Sequence, residues 1–168
     1  DTGGSHSDLT DEYAAVRKEM ESVAEYLGKS VLREVDEDEF MKNIADIRSS
    51  CGDRAVLRAM HFYGDNARVE KQAAALKAGD FETFKKYIIE SGRSSYMYNQ
   101  NVYSCKKASE QPVSLALSLS EKLLDGCGAW RVHGGGFAGT IQAFVPLNKL
   151  DEYKDLMEKV FGSGSCYI

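Results

Sequence analysis

The stretch that decides the fold is residues 129–146, AWRVHGGGFAGTIQAFVP, in which three consecutive glycines lie between two apolar segments. Glycine loses more backbone freedom on folding than any other residue, so three in a row indicate a loop that needs positive φ angles or a close backbone approach. Residues 140–145 are β-branched and aromatic with alternating polarity, and Pro146 ends them. The sequence therefore predicts a strand, a glycine turn and a second strand.

The glycine spacing is open to two interpretations. Gly134, Gly136 and Gly139 reproduce the G-x-G-x-x-G spacing of the dinucleotide-binding motif. That motif requires a following helix, because the pyrophosphate lies on the helix N-terminus, and residues 140–145 favour a strand instead. From the residues alone, the segment is either a tight hairpin without a ligand or a loop that contacts one.

Length and charge limit the class of protein. At 168 residues the chain has the length of one ordinary domain, residues 1–168, and its formal net charge is −5. No basic tract is present, so we expect neither a nucleic acid nor an anionic membrane surface as a partner.

Cysteine usage and the chain ends suggest where the protein resides. No C-x-x-C pair or histidine at ligand spacing accompanies the cysteines, so we expect free thiols in a reducing compartment and no metal site. No segment is apolar enough to span a bilayer and no signal-peptide pattern is visible, so we expect a cytoplasmic protein. The turn-like residues 1–6 and strand-like residues 165–168 lead us to expect a piece of a longer chain. The cysteines are Cys51, Cys105, Cys127 and Cys166.

Hydrophobic periodicity and capping residues predict helices on one side of a small sheet, an α+β fold. Residues 113–120, VSLALSLS, alternate as a strand would, but Pro112 at the entry and Asp125-Gly126 at the exit favour a helix. We expect a last strand near Ser165. The predicted helices are Thr10 or Asp11 to Leu27 with Gly28 after it, a helix capped by Asp36 with Glu39 to about Ile47, and helices over 54–78, 81–91, 113–124 and 149–161, the last capped by Asn148.

Some residues within these elements invite a functional interpretation. We interpret His61, on an apolar helix face, as a packed and hydrogen-bonded side chain, since no cysteine or carboxylate lies at a supporting spacing. Gly64 predicts a kink or a close helix crossing, and Gly92 predicts a helix end. The tyrosines of the irregular segment 92–107 either stack on a sugar or base or cover a helix layer. These are Tyr96, Tyr98 and Tyr103.

Several stretches, in this order, resemble one known family. Residues 132–139, VHGGGFAG, resemble a motif usually met as MTGGGFGG. The other stretches are Asp1-Thr2-Gly3 with Ser5-His6 and Leu9 (the end of a strand in the family), Glu12-Tyr13 with Arg17 (E-Y-x-x-R-R), Arg33-Glu34-Val35 (L-R-E-V), Arg58-x-x-His61 with Asn66-x-Arg68-Val69 (R-x-x-H…E-N-x-R-V), and residues 75–80 with Phe84. Together they make the chain similar to the C-terminal domain of the galactokinases, in the GHMP superfamily of small-molecule kinases.

The chain departs from the family pattern at several positions. His133 stands where threonine is usual and Ala138 where glycine is usual, while Val16 and Met20 interrupt the R-R…C pattern. Residues 91–95 also differ from the family's S-H-x-S-L. These differences bear more on the identity of the sugar than on the superfamily.

The resemblance implies a fold, a reaction and two ligands. It implies a ferredoxin-like two-layer sandwich elaborated with extra helices, and transfer of the ATP γ-phosphoryl group to the C1 hydroxyl of galactose with Mg²⁺. In the family this occurs in a cleft shared with an N-terminal domain that carries the catalytic residues, so no catalytic residue is assigned to this chain. Alternatives are a non-catalytic galactose and ATP sensor, or a kinase for another sugar or alcohol.

The resemblance also implies binding residues. The glycine motif, Gly134, Gly135, Gly136, Phe137 and Gly139, is expected on the phosphate side of the nucleotide. Tyr13 is expected to contact the sugar. His133, beside the glycines, is interpreted from its own chemistry either as a strand residue that faces solvent or the helix layer, or as an imidazolium that binds phosphate. From its spacing alone, Tyr13 is interpreted as packing on a helix face.

Overall fold

The structure, a computed structural model, describes residues 1–4 and 8–168, so Ser5 and His6 of the first family stretch lie outside the described residues. In this part of the chain a mostly helical body packs around one two-stranded antiparallel sheet, and the predicted α+β class is confirmed. The elements are α1 Thr10–Tyr26, α2 Glu37–Lys42, α3 Ile44–Cys51, α4 Asp53–Lys77, α5 Phe81–Ser94, α6 Pro112–Leu124, β1 Ala129–Val132, β2 Ile141–Phe144 and α7 Leu150–Phe161.

The sheet is the predicted hairpin. β1 and β2 pair with Ala129 opposite Phe144 and Val132 opposite Ile141, and the glycines connect them. Within residues 1–4 and 8–168 the sheet has these two strands, fewer than a ferredoxin-like sandwich requires. The strand predicted near Ser165 is wrong: the chain turns at Gly162 and Gly164, both with positive φ, and finds no ladder partner there.

The two largest apolar cores among the described residues lie on either side of α5. The first core fills the space between α1, α2, α3 and α4, and the second joins α6 and α7 to the inner face of the hairpin. α5 contacts both α4 and β1, so it connects the two cores. Buried members of the first core include Val23, Phe40, Ile47 and Tyr63, and those of the second include Val113, Leu124, Trp130 and Met157.

Capping explains most helix boundaries. Gly28 follows α1 with φ +72°, and the amides of Gly28 and Lys29 donate to Glu25 and Ala24, as the predicted C-terminal glycine requires. Asp36 caps α2 through the amide of Asp38. The single helix predicted to Ile47 is in fact two, because the backbone leaves helical geometry at Asn43.

Gly92 does not end α5, contrary to the prediction. The helix continues to Ser94 and is followed by a π-helical turn, Ser95–Asn99, so part of the segment predicted to be irregular is helical. A Cβ atom on Gly92 would lie 3.0 Å from Cβ of Arg131 and 3.1 Å from the carbonyl oxygen of Trp130. Gly92 is therefore the point where α5 crosses β1 closely.

Other predicted features have mixed outcomes. The helix predicted over residues 113–124 is confirmed as α6, with Pro112 in its first turn. Asn148 does not cap α7, which begins after a 3₁₀ turn, Leu147–Lys149, with no side-chain cap. α4 runs unbroken through Gly64, and the atoms nearest to a Cβ placed there belong to Arg68 of the same helix.

Candidate functional site

The glycine turn, residues 133–140, has an unusual backbone. Gly134, Gly136 and Gly139 have φ angles of +67°, +80° and +85°, which explains why glycine is needed at these three positions. Phe137 has φ +59°, a left-handed conformation that is strained for an aromatic residue. Such strain persists only where the surroundings hold it in place.

Tyr13 on α1 lies directly against this turn. Its hydroxyl donates a hydrogen bond to the carbonyl oxygen of Gly136 at 2.6 Å, although the two residues are 123 positions apart. Its ring meets Phe137 edge-on, with centroids 5.3 Å apart, and a Cβ atom on Gly135 would lie 2.7 Å from Cε1 of Tyr13. Burial raises the pKa of the Tyr13 hydroxyl, which keeps it protonated and able to donate. The tyrosine and the glycines assigned from the resemblance thus form one cluster.

Asn101 holds the turn from the other side, and the sequence did not predict this residue. Its carbonyl oxygen accepts a 2.6 Å hydrogen bond from the amide of Phe137, and its Nδ2 donates to the carbonyl oxygen of Gly135 at 3.1 Å. A Cβ atom on Gly136 would lie 1.8 Å from the Asn101 carbonyl oxygen. Gly136 is therefore required both for its φ angle and for this close approach.

A buried arginine supports the segment that carries Asn101. Arg58 on α4 is 1% exposed, and its Nε donates to the carbonyl oxygen of Asn99 at 3.0 Å. Its Nη1 pairs with Glu19 on α1 at 2.8 Å. Burial lowers the pKa of Arg58, and Glu19 opposes this by favouring the charged form. Arg58 thereby ties α1, α4 and the end of the π-helical turn together.

A cleft of about 520 Å³ opens between α1, the chain after it and the glycine turn. Tyr13, Gly134 and Gly135 line one part of it, and Arg17 and Arg33 lie on another part. Arg17 pairs with Glu21 at 2.7 Å, and Arg33 donates to the side chain of Asn66. Glu21 and several apolar side chains also line the cleft. An apolar lining with a few polar and charged groups is typical of small-molecule sites.

Two backbone amides of the turn are available to bind a ligand. Gly134 and Gly135 are exposed, and their amide nitrogens have no acceptor within residues 1–4 and 8–168. Backbone amides presented by successive residues with alternating φ sign form concave anion sites. The residues present therefore fit a phosphate group at the turn.

The first described residues pack against the far end of the turn. The amide and the hydroxyl of Thr2 both donate to the carbonyl oxygen of Gly139, at 2.8 and 2.6 Å. A Cβ atom on Gly4 would lie 3.0 Å from that of Ala138, so the absence of a side chain at Gly4 makes room for the alanine methyl group. The methyl group that departs from the family pattern is accommodated here.

Other candidate residues lie elsewhere. His133 is exposed and lines a larger apolar groove of about 920 Å³ beside β2, rather than the cleft that Tyr13 lines. His61 is buried, and its Nδ1 is 2.9 Å from the hydroxyl of Ser94; Asp65, one turn along α4, is a carboxylate neighbour that the spacing argument overlooked. The rings of Tyr96 and Tyr103 pack on each other, away from the cleft.

The described residues contain neither a cluster of metal ligands nor a helix that could span a membrane. Residues 1–4 and 8–168 contain no group of three or more His, Cys, Asp or Glu side chains arranged to hold a metal ion. Among the helices described here, none combines the length and apolar character needed to cross a membrane.

Comparison with known proteins shows which family the chain resembles. The chain is 37% identical to human galactokinase over 164 residues, which is 97% of the chain. It is similar to part of galactokinase. Bovine galactokinase is 31% identical over the same length, and that of Mannheimia succiniciproducens is 26% identical over 152 residues. No protein-family model matches the chain.

The similarity covers this chain almost completely but these galactokinases only partly. The chain spans about two fifths of their length, 39% of the human and bovine proteins and 37% of the bacterial one. The resemblance to galactokinase drawn from the motifs is confirmed.

Proposed function

We propose that this chain is the C-terminal part of a galactokinase, an ATP-dependent kinase that phosphorylates galactose at C1. The contact between Tyr13 and Gly136 carries the proposal. It joins the two stretches that the resemblance assigns to the sugar and to the nucleotide, and both line one cleft. The similarity to human and bovine galactokinase supports the same conclusion.

Each part of the cleft has a distinct task in this proposal. The exposed amides of Gly134 and Gly135 hold phosphate oxygens, and the glycines keep side chains out of the way. Tyr13 positions the sugar while its hydroxyl remains bonded to the turn, since a hydroxyl donates one hydrogen bond and accepts others. ATP, with Mg²⁺, supplies the phosphoryl group. Phosphoryl transfer depends mainly on positioning and charge stabilisation, so one wall of a cleft makes a real contribution.

The remaining parts of the proposal concern the rest of the protein. We propose an N-terminal domain that supplies the other wall, the catalytic residues and most contacts to Mg²⁺, in a cytoplasmic enzyme. We also propose that further strands extend the hairpin into the sheet of a ferredoxin-like sandwich. His133, the first residue of the turn, is also proposed as a phosphate contact, made from the groove beside β2 that it lines.

The direct test is a sugar panel with the full-length protein. ADP release should depend on galactose and exceed that with other hexoses or a mevalonate-like alcohol. Preference for another substrate would reassign the kinase. Galactose binding without turnover would favour the sensor, and neither binding nor turnover with any member of the panel would contradict the proposal.

Gly136→Ala tests the role of the turn. The new Cβ atom would collide with Asn101 at a φ of +80°, so we expect kcat/KM to fall by at least about tenfold. Gly28→Ala is the matched control, because Gly28 has φ +72° with open space around it and lies after α1. Its kinetics should remain near wild type. Equal kinetics for the two variants would remove the turn from the active site.

A further inference from the structure

We propose that Asn101, supported by the buried Arg58, is a positioning residue that holds the glycine turn in its phosphate-binding shape before the nucleotide arrives. The inference rests on the proposed function for the identity of the ligand. It adds Asn101, which lies in none of the family stretches, and gives a role to Arg58, which the R-x-x-H stretch contains.

Asn101 makes contacts that fix both the position and the conformation of the turn. Its carbonyl oxygen accepts from the amide of Phe137, and its side-chain amide donates to Gly135. These bonds engage the Phe137 amide and the Gly135 carbonyl, and neither of them uses the amides of Gly134 and Gly135. Asn101 is 4% exposed, so these bonds are shielded from competing water.

The strain at Phe137 requires such a support. Phe137 holds φ +59° and is 4% exposed, packed with Leu9 and Ala138. An aromatic residue leaves the left-handed region readily unless its neighbours prevent this. The 2.6 Å bond from its amide to Asn101 opposes that change directly. The hydroxyl of Tyr13 donates to the carbonyl oxygen of Gly136, the preceding residue, so the turn is hydrogen-bonded from two sides.

Arg58 places Asn101 where it can act. The π-helical turn ends at Asn99. The amide of Gln100 still donates to the carbonyl oxygen of Ser95, and the φ angle of +53° at Gln100 then turns the chain out of the helix towards Asn101. The carbonyl of Asn99 accepts from Nε of Arg58, whose other side is held by Glu19. The guanidinium is planar and donates in two directions at once, which a lysine cannot reproduce. Arg58 therefore fixes the position of the segment that carries Asn101 relative to α1 and α4.

Asn101→Asp is the decisive variant because it preserves shape and backbone. It replaces the Nδ2 donor with a carboxylate oxygen that faces the carbonyl of Gly135, so the side chain repels the turn instead of holding it. In the full-length kinase we expect the KM for ATP to rise about tenfold, with the KM for the sugar near wild type. Asn101→Ala should have a smaller effect. A role in packing alone predicts the opposite order, because alanine removes more volume.

Amide exchange supplies a readout that does not depend on turnover. Without nucleotide, peptides covering residues 133–139 should exchange faster in Asn101→Asp than in wild type. Arg58→Lys should show the same two changes in milder form. Arg54→Lys is its matched control, since Arg54 also binds Glu19 but lies half-exposed and does not reach Asn99.

The outcomes separate this inference from the proposed function. The positioning role would be overturned if Asn101→Asp had the same KM values and the same amide exchange as the wild type. If Gly136→Ala still showed a strong defect, the kinase proposal would remain intact. A rise in the sugar KM equal to that for ATP would also overturn the positioning role. Normal kinetics in Gly136→Ala would instead remove the proposed role of the turn.

Discussion

At the scale of single residues, His61 makes the stability of the protein depend on pH. It is 9% exposed, bonded to Ser94, and close to Asp65. Burial is the main cause that lowers its pKa below 6.5; Asp65 opposes this as the next largest influence, and Arg68 and Arg131 add smaller lowering contributions. Between the lowered pKa and about 6.5 the unfolded chain binds more protons than the folded one, so the free energy of unfolding falls as the pH decreases through this window.

Urea titrations across this window test His61. The wild-type midpoint should fall as the pH decreases below about 6.5, and His61→Gln should weaken that dependence because its amide does not titrate. An unaltered slope in His61→Gln would contradict the assignment, whatever the variant's absolute stability.

The residues around the glycine turn differ in how well the sequence alone predicts their role. Three consecutive glycines indicate by themselves a turn with positive φ angles or a close backbone approach. Tyr13 is indicated only by the family motif. Asn101 lies in a segment without periodicity, and its partners are more than thirty positions away, so no local pattern predicts its role. Arg58 offered two signals: it belongs to the R-x-x-H stretch of the family, and it lies at helical spacing with the apolar Ala55 and Ala59. An arginine on a buried face needs acceptors.

At the scale of elements, the crossing of α5 over β1 explains why a glycine lies inside a helix. Helix propensity favours alanine over glycine by about 1 kcal/mol, so an internal glycine requires another reason. At Gly92 that reason is the backbone of Trp130 and the Cβ atom of Arg131, which leave no space for a methyl group. At Gly64 the nearest atoms are the guanidinium end of Arg68, which is able to move.

The pair Gly92→Ala and Gly64→Ala tests this explanation. Gly92→Ala should destabilise the protein by about 1 to 3 kcal/mol, because the new methyl group overpacks against rigid backbone. Gly64→Ala should be neutral or stabilising by up to about 1 kcal/mol, since it gains helix propensity at the cost of a small side-chain shift. Urea midpoints measure both. The interpretation is wrong if Gly92→Ala is as stable as Gly64→Ala.

Elements whose signals are local were the ones that the sequence predicted. α1 with Gly28, α6 with Pro112 and the hairpin all carry their own periodicity or turn residues. Gly92 was misjudged because its role depends on a strand that comes much later in the chain. The strand near Ser165 was misjudged for a related reason, since β-branched and aromatic residues form a strand only when a partner accepts their hydrogen bonds.

At the scale of the whole molecule, the proposed larger sheet requires a further strand to pair with the outer edge of β2, the edge that faces away from β1. The amide of His133 donates to Thr140, and antiparallel pairs alternate between bonded and non-bonded, so the amides of Ile141 and Ala143 point away from β1. Thr2 already donates to Gly139 next to this edge. In residues 1–4 and 8–168 no strand pairs with it.

Residue-resolved amide exchange of the full-length protein would show whether another strand covers this edge. If the hairpin belongs to a ferredoxin-like sandwich, the amide of Ala143 should be protected as strongly as that of Gln142, which points towards β1 and serves as the internal reference. An Ala143 amide that exchanges freely beside a protected Gln142 would mean that β2 is an edge strand in the complete protein. The sandwich would then be wrong, while the cleft formed by Tyr13 and the glycine turn, on other residues, would be unaffected.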